Sequence, residues 1–452
     1  MEPPLSHHHD PTEDHSHNVD QDVPADDIGL GGDVDRRGFL SCMSWAGAGM
    51  LWTMRGGVAR SALLGAEPPA AGELTFVQIS DSHIGFDKAA NADVTATMRA
   101  AVAKIDALHA RPAFMLHTGD ITQLAKPSEF DTADQVLRES RTRDVFFVPG
   151  EHDVATDAGA SYLQRYGRRM PHGDAGNGWY SFDHSGVHFI GLVNVLDLKP
   201  GGLGALGPDQ LAWLERDVKH LASSTPIVVF AHVPLWTIAP EWGWGTEDSA
   251  IALGYLRRFG SVTVLNGHIH QTMQKIEGNV AFHTALSTAF PQPRPGTAPA
   301  PGPIVVPAGH LRDVLGIREV RYLPHARHLA VVDETLSGEA AAPAMAMGEA
   351  NARAAAAATK AAGASDTGAG AVSIDNFAFT PKVLHVRRNQ SVTWTNHDDV
   401  PHRIQSANAK FAPSTVLDTR ASYAITLATP GEYPYFCSLH PTMTGTIVVQ
   451  DG

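Results

Sequence analysis

Asp144-Val145-Phe146-Phe147-Val148-Pro149-Gly150-Glu151-His152-Asp153 joins a strand-like run to a polar loop. Four β-prone apolar residues run into a Pro-Gly break, and three ionisable side chains follow in a row. The apolar run predicts a buried strand. In α/β sheets, chemistry is delivered from the C-terminal ends of such strands. The same pattern also describes a polar loop that merely caps a strand, so the rest of the chain has to decide.

From residue 74 onward, short β-rich runs alternate with helical stretches. Residues 74–79, 114–117, 145–148, 179–182, 187–192, 227–231, 262–265 and 280–284 read as strands, and 91–109, 128–139, 208–221 and 247–259 as helices. This alternation predicts α/β layers with sheets between helices. Five of the strands run into carboxylates or imidazoles. They are followed by Ser80-Asp81-Ser82-His83, Thr118-Gly119-Asp120, Gly150-Glu151-His152-Asp153, His232, and Asn266-Gly267-His268-Ile269-His270. Such ends converge at one edge of a sheet. Carboxylate plus imidazole without thiolate suits Zn, Mn, Fe or Ni. Glycine beside a ligand permits the turn and a close backbone approach.

These motifs resemble the calcineurin-like metallophosphoesterases, including the class III cyclic-nucleotide and glycerophosphodiester phosphodiesterases. The resemblance implies a four-layer α/β/β/α sandwich over residues 72–323 and a centre of two metal ions, Fe, Mn or Zn. Asp81, His83, Asp120 and His270 would hold one ion. Asp120 would bridge to the second, held also by Glu151, His232 and His268. His152 would be the catalytic histidine near the leaving group. The implied reaction is hydrolysis of a phosphate ester, a diester ahead of a monoester, by a hydroxide shared between the ions. Position 151 departs from the family, which carries Asn there. With two divalent ions, a third carboxylate leaves a smaller positive charge. Glu151 is expected to remain a ligand, either disfavouring a dianionic monoester or matching trivalent iron. The alternative is that it swings away and the second ion is weak. In the loop after His232, Trp236, Trp242 and Trp244 are candidate walls of a substrate pocket, with simple loop packing as the competing reading. His117 reads as core or ligand support, and His188 and His283 as structural.

The Pro/Gly/Ala-rich residues 290–307 are expected to run over the surface, and 311–332 to return as a short helix and strand. Residues 336–371 are an Ala/Gly-rich linker. Residues 372–452 change texture to short β runs separated by turns, which predicts a small all-β sandwich. Its polar cluster is Cys437-Ser438-Leu439-His440-Pro441-Thr442-Met443, with His402 upstream. His402, Cys437, His440 and Met443 are the donors of a blue-copper site, a His-Cys-His plane with a weak axial thioether. The stretch resembles the cupredoxins, and its Cys-x-x-His-Pro-x-Met loop looks most like amicyanin. That implies one copper ion, one-electron transfer and a redox partner protein. His385 and His397 match no ligand position.

The chain has 452 residues, 24 histidines and two cysteines, and its formal net charge is -14. With that charge, binding to a nucleic-acid polymer is not expected. Residues 1–35 are an acidic, His-rich tail too polar to bury a core. Across residues 36–66, Arg36-Arg37-Gly38-Phe39-Leu40 leads an apolar run ending near Met54. It resembles a twin-arginine signal, which implies the twin-arginine translocation machinery and a periplasmic or other extracytoplasmic location. Two function classes follow. One is an exported phosphoesterase with an appended copper domain. The other is a copper electron-transfer protein on a phosphoesterase scaffold that has lost its activity.

Overall fold

The computed structural model describes residues 52–55, 58–61, 74–167, 177–196, 198–323, 328–338 and 370–451. The acidic tail, the twin-arginine pair and linker residues 339–369 lie outside the described residues. Within the expected signal segment, β1 (Trp52–Arg55) and β2 (Val58–Ser61) pair antiparallel. The first domain then runs through β3 (Leu74–Ile79), β4 (Met115–His117), β5 (Val145–Phe147), β6 (Tyr180–His184), β7 (Val187–Gly191), β8 (Ile227–Ala231), β9 (Val262–Asn266), β10 (Gln274–Glu277), β11 (Val280–Thr284), β12 (Gly316–Leu323) and β13 (His328–Thr335). One sheet has the order β13-β12-β3-β4-β5 and the other β10-β11-β9-β8-β7-β6. The strands that lead into the predicted site residues are parallel to one another within each sheet.

Alternation along β3 sets the layers, because successive side chains leave opposite faces of a strand. Leu74 and Phe76 point between the sheets, into a core with Phe182, Phe189, Phe230 and Val320. Val77 and Ile79 point the other way, onto Met98 and Ile105 of α1 (Val94–Asp106) and Phe130 and Val136 of α2 (Pro127–Glu139). Asp93 caps α1, accepting the Ala96 N–H at 2.9 Å. After α3 (Ala160–Tyr166), helices α4 (Pro208–Val218) and α5 (Ser249–Leu256) cover the outer face of the second sheet through Leu211, Leu214 and Leu256. The result is the α/β/β/α sandwich. Burying one Phe side chain contributes about 1.5–3 kcal/mol, and the inter-sheet core holds several. Polar bonds also pin the sheets together just below the strand ends. Gln78 donates to Asn266 O (3.2 Å) and accepts from buried Arg318, which also donates to Thr284 O (2.7 Å).

Two expectations need correcting. Residues 311–332 form more than one helix and one strand: after α6 (Leu311–Val314), β12 and β13 make a full hairpin, so the sheet continues past residue 323 to Thr335. Residues 290–307 do not simply skirt the surface. Phe290 and Ile304 are each 1% exposed. Phe290 is held in because its ring packs on Phe86, His83 and His270.

His188 ties β7 to its neighbours. Its Nδ1 lies 2.8 Å from Asp183 and its Nε2 3.0 Å from Asp217. Burial opposes the charged ring, but the bonds to Asp217 and Asp183 outweigh it and raise the pKa above 6.5. A pKa raised by folding stabilises fully below the unfolded value, and the contribution fades as pH rises through the folded value. His188→Asn should therefore cost about 1 kcal/mol near pH 5 and clearly less near pH 9 in urea melts, Asp183 being exposed and screened. Equal losses at both pH values would refute the ion pair.

The second domain comprises β14 (Ala371–Asp375), β15 (Ala378–Thr380), β16 (Val383–Arg387), β17 (Ser391–Asn396), β18 (Ile404–Ser406), β19 (Ser422–Thr426), β20 (Gly431–Cys437) and β21 (Thr444–Gln450). Two four-stranded sheets, β15-β14-β17-β19 and β16-β21-β20-β18, close over Ile374, Trp394, Ile404, Tyr435 and Ile447. Ala155 of the first domain belongs to this same apolar cluster. Gly47–Gly452 group as one compact unit.

Candidate functional site

The strand ends deliver their side chains through an unusual backbone. Asp81, His83, Asp120, His268 and His270 all have positive φ, between 41° and 70°. A non-glycine residue there is uncommon and persists only when its surroundings hold it. Here the loops hold one another. Asp81 N–H donates to Gly119 O (3.0 Å), His83 N–H to Asp120 O (2.9 Å) and Ser287 Oγ to Asp81 O (2.7 Å). His268 N–H donates to Asp81 Oδ1 at 3.0 Å. Asp153 accepts from the N–H groups of Ile121, Thr122 and Gly150 and from the Thr122 hydroxyl, all within 3.1 Å. It braces the Asp120 and Glu151 loops against each other.

The imidazoles of His83, His232 and His270 are each turned by an acceptor behind them. A carbonyl oxygen can only accept, so the ring nitrogen facing it carries a proton and the other nitrogen is the one turned toward the cluster. His232 Nδ1 donates to Thr118 O (2.7 Å) and His270 Nδ1 to Phe290 O (2.6 Å). His83 Nδ1 faces Gln123 Oε1 at 2.9 Å. Their Nε2 atoms turn inward. His83 Nε2 and His270 Nε2 come within 3.2 Å, and His232 Nε2 lies 3.3 Å from His268 Nδ1.

The carboxylates meet these nitrogens. Ligand atoms of Asp81, His83 and His270 form one group within 4.8 Å, and those of Asp120, Glu151, His232 and His268 form another. Asp120 also lies within that distance of His83 and His152, so it stands between the two groups. Glu151 has not swung away: Oε1 is 2.9 Å from His268 and Oε2 3.0 Å from His232. Burial alone would neutralise these acids, yet His268 and His232 hold Glu151 well below its ordinary value, and His270, His232 and His83 do the same for Asp81. Burial keeps His83 down at about 3 against the pull of Asp120, which leaves its ring neutral. Anionic carboxylates and inward-turned imidazole nitrogens at such short range fit a pair of hard or borderline cations.

His152 sits at the edge of this cluster. Its Nδ1 donates to Gln123 O (2.8 Å), and its Nε2 lies 4.0 Å from Asp120 Oδ2. Burial opposes its charged form, but Asp120 and Glu151 outweigh that and raise its pKa.

Within the second domain, Cys437 Sγ lies 3.6 Å from His402 Nδ1 and 3.8 Å from His440 Nδ1, and the two imidazole nitrogens are 3.3 Å apart. Asp398 fixes His402 through Nε2 at 2.8 Å. Burial alone would raise the Cys437 thiol, but the two histidines hold it well below its ordinary value and favour the thiolate. Met443 is 4% exposed in the same cluster, and Cys437 N–H donates to its carbonyl. A buried thiolate between two imidazoles, with Met443 buried in the same apolar cluster, fits copper.

The three tryptophans separate. Trp242 and Trp244 meet edge to face at 5.0 Å and line a chamber of about 30 Å³ over Glu151 and His152. Trp236 is a correction: it packs on Phe282 in the helix-side core of the second sheet and does not line the chamber. Phe377, Val400 and His440 of the second domain also line the chamber. Sequence reading missed Gln123, Phe290, Phe377 and Asp398. Gln123 lies three residues after Asp120, where a turn can bring it back, but Phe290 carries no local signal.

Residues 74–272 match the calcineurin-like phosphoesterase family and residues 350–449 the cupredoxin-like domain. Amicyanin-alpha of Methylorubrum extorquens is 30% identical over 87 residues, 18% of this chain and 73% of that protein. A 3′,5′-cyclic-nucleotide phosphodiesterase of Nostoc sp. is 25% identical over 227 residues, 48% of this chain and 79% of its own length. A glycerophosphodiester phosphodiesterase of Enterobacter lignolyticus is 28% identical over 212 residues, 44% of this chain and 71% of its own length. The chain thus belongs to the calcineurin-like metallophosphoesterases through its first domain and to the cupredoxins through its second.

Proposed function

We propose that the chain hydrolyses phosphodiesters at the carboxylate–imidazole cluster and carries a type 1 copper electron-transfer centre at His402, Cys437, His440 and Met443. The observation that carries the first part is the meeting of two ligand groups at Asp120. Asp81, His83 and His270 would hold one ion and Glu151, His232 and His268 the other, with Asp120 against both. Bound there, Fe, Mn or Zn would supply Lewis acidity and a water activated near neutral pH. The chain's residues do the rest. His152, clamped at Nδ1, holds a proton at Nε2 and delivers it to the departing alkoxide. Trp242, Trp244 and Phe290 keep bulk water from the reacting group. The Glu151 charge weighs against a dianionic monoester more than against a monoanionic diester. The phosphodiesterase relatives named above support the diester preference.

Hydrolysis of a nitrophenyl diester and of the matching monoester, with added Mn, Zn or Fe, tests this reading. Turnover of the diester is expected. No turnover with any metal, beside an intense blue colour with copper, would leave only the second reading, a copper protein on an inactive scaffold. The small chamber favours that second reading, since about 30 Å³ admits roughly one or two water molecules and no diester. Glu151→Asn is expected to keep two ions per chain by metal analysis and to lower the diester-to-monoester rate ratio about tenfold, the size of one partly screened charge. An unchanged ratio would remove Glu151 from substrate selection.

We also propose export to the periplasm through the Arg36-Arg37 signal. Among the described residues no helix is long and apolar enough to cross a membrane. Retention of an Arg36→Lys/Arg37→Lys variant inside the cell is the expected result, and unimpaired export would exclude that route.

A further inference from the structure

The two metal sets meet at His440. Its Nδ1 faces Cys437 and His402. A ring nitrogen of His440 also lies within 4.8 Å of a His152 nitrogen and a Glu151 oxygen. The His152 and His440 ring centroids are 6.3 Å apart. The seam around this contact is closed by unrelated interactions. Ala155, three residues beyond His152, packs in the apolar cluster of the copper domain. Gly201 N–H donates to Pro441 O at 2.6 Å, next to His440. The Lys88 ammonium lies 3.8 Å from the Asp418 carboxylate. Phe377 covers another side of the His440 ring, with centroids 4.7 Å apart. An electron leaving through the His440 edge therefore meets His152 and Glu151 before it meets another protein.

We propose that the redox partner of the copper set is the phosphoesterase metal set of the same chain, with His440 as the residue that joins them. This inference rests on the metal-binding reading of both sets. The step moves one electron. It leaves a ferrous ion held by the carboxylate–imidazole set, which becomes ferric, and it reduces Cu(II) to Cu(I). No bond forms or breaks. The donor chemistry sets the direction. Asp81, Asp120 and Glu151 place three hard anionic ligands at the phosphoesterase set and favour the higher charge there, while Cys437 and Met443 offer soft sulfur to Cu(I). The copper domain thereby senses and sets the oxidation state of the centre it covers.

The test uses the full chain with both metals counted. Failure to bind iron or copper would overturn the ligand reading and this inference with it. With both bound and oxidised, a flash-generated reductant supplies less than one electron per chain, and the blue absorbance is followed. The expected result is a first-order exchange phase after the flash. Its rate should be unchanged when the protein is diluted about tenfold, and it should be absent when redox-inert zinc replaces iron. An exchange rate that falls in proportion to dilution would mean transfer between molecules. That result, or no exchange phase in chains that hold both metals, would overturn the proposal while leaving the ligand sets standing.

Discussion

His152→Ala is expected to lower diester turnover about 10²- to 10⁴-fold, the usual worth of a placed general acid, while the chain keeps its metal content. The ring's position is the reason. Nδ1 is tied to the Gln123 carbonyl, so the only mobile proton is on Nε2, on the side of Asp120. Asp120 and Glu151 raise the pKa of the ring despite its burial, which favours the protonated form. The loss should depend on what departs. A nitrophenolate leaves without help and should show a small deficit, whereas a simple alkoxide needs the proton and should show the whole of it. The same deficit for both leaving groups, or a lost metal ion, would mean that His152 only supports the ligands. Its ring does lean edge to face on His83, with centroids 4.7 Å apart, so the metal count is an essential part of the measurement.

Gly150→Ala is expected to disable the centre outright. A Cβ at Gly150 would stand 2.5 Å from the Asp120 backbone nitrogen and 2.7 Å from its carboxyl carbon. Asp120 has nowhere to go, because His152 N–H holds its Oδ1 at 3.0 Å and its backbone is fixed at φ 51°. Overpacking a rigid site of this kind costs about 1–3 kcal/mol, and it moves the residue that stands between both ligand groups. Loss of at least one ion per chain should accompany the lower urea midpoint. Gly254→Ala is the contrast. Gly254 lies in α5 with nothing within 4 Å of the added methyl, and a helix interior prefers Ala by about 0.5–1 kcal/mol. That variant should be slightly more stable and fully loaded. Equal metal contents in the two variants would refute the close-approach argument.

How much of this was legible in the sequence depends on distance along the chain. Asp81, His83, Asp120, Glu151, His232, His268 and His270 could be read because parallel strands align their ends, and each follows its own apolar run, with glycine directly before Asp120, Glu151 and His268. Cys437, His440 and Met443 share one loop, and only His402 had to be brought from elsewhere. Trp236 was misassigned because composition marks a loop as aromatic without saying which ring faces the core. Its neighbour Phe282 comes from β11, far along the chain. Phe290 was missed for the converse reason: a Pro-rich segment looks like surface, and the ring finds its place only on Phe86 and the imidazoles of His83 and His270. The approach of His440 to His152 was the least visible. It depends on how two separately folded cores meet, and no period or spacing in either half encodes that.

The chamber beneath Phe377, Val400 and His440 has a kinetic consequence. Under the proposed diester hydrolysis, about 30 Å³ is too small for the substrate, so its entry would require the copper domain to move off its seat. Opening and closing then stand in series with bond cleavage, as with other active-site lids. Turnover by the native chain should slow as sucrose thickens the solvent. The His152→Ala variant, limited by chemistry instead, should be indifferent to the same sugar.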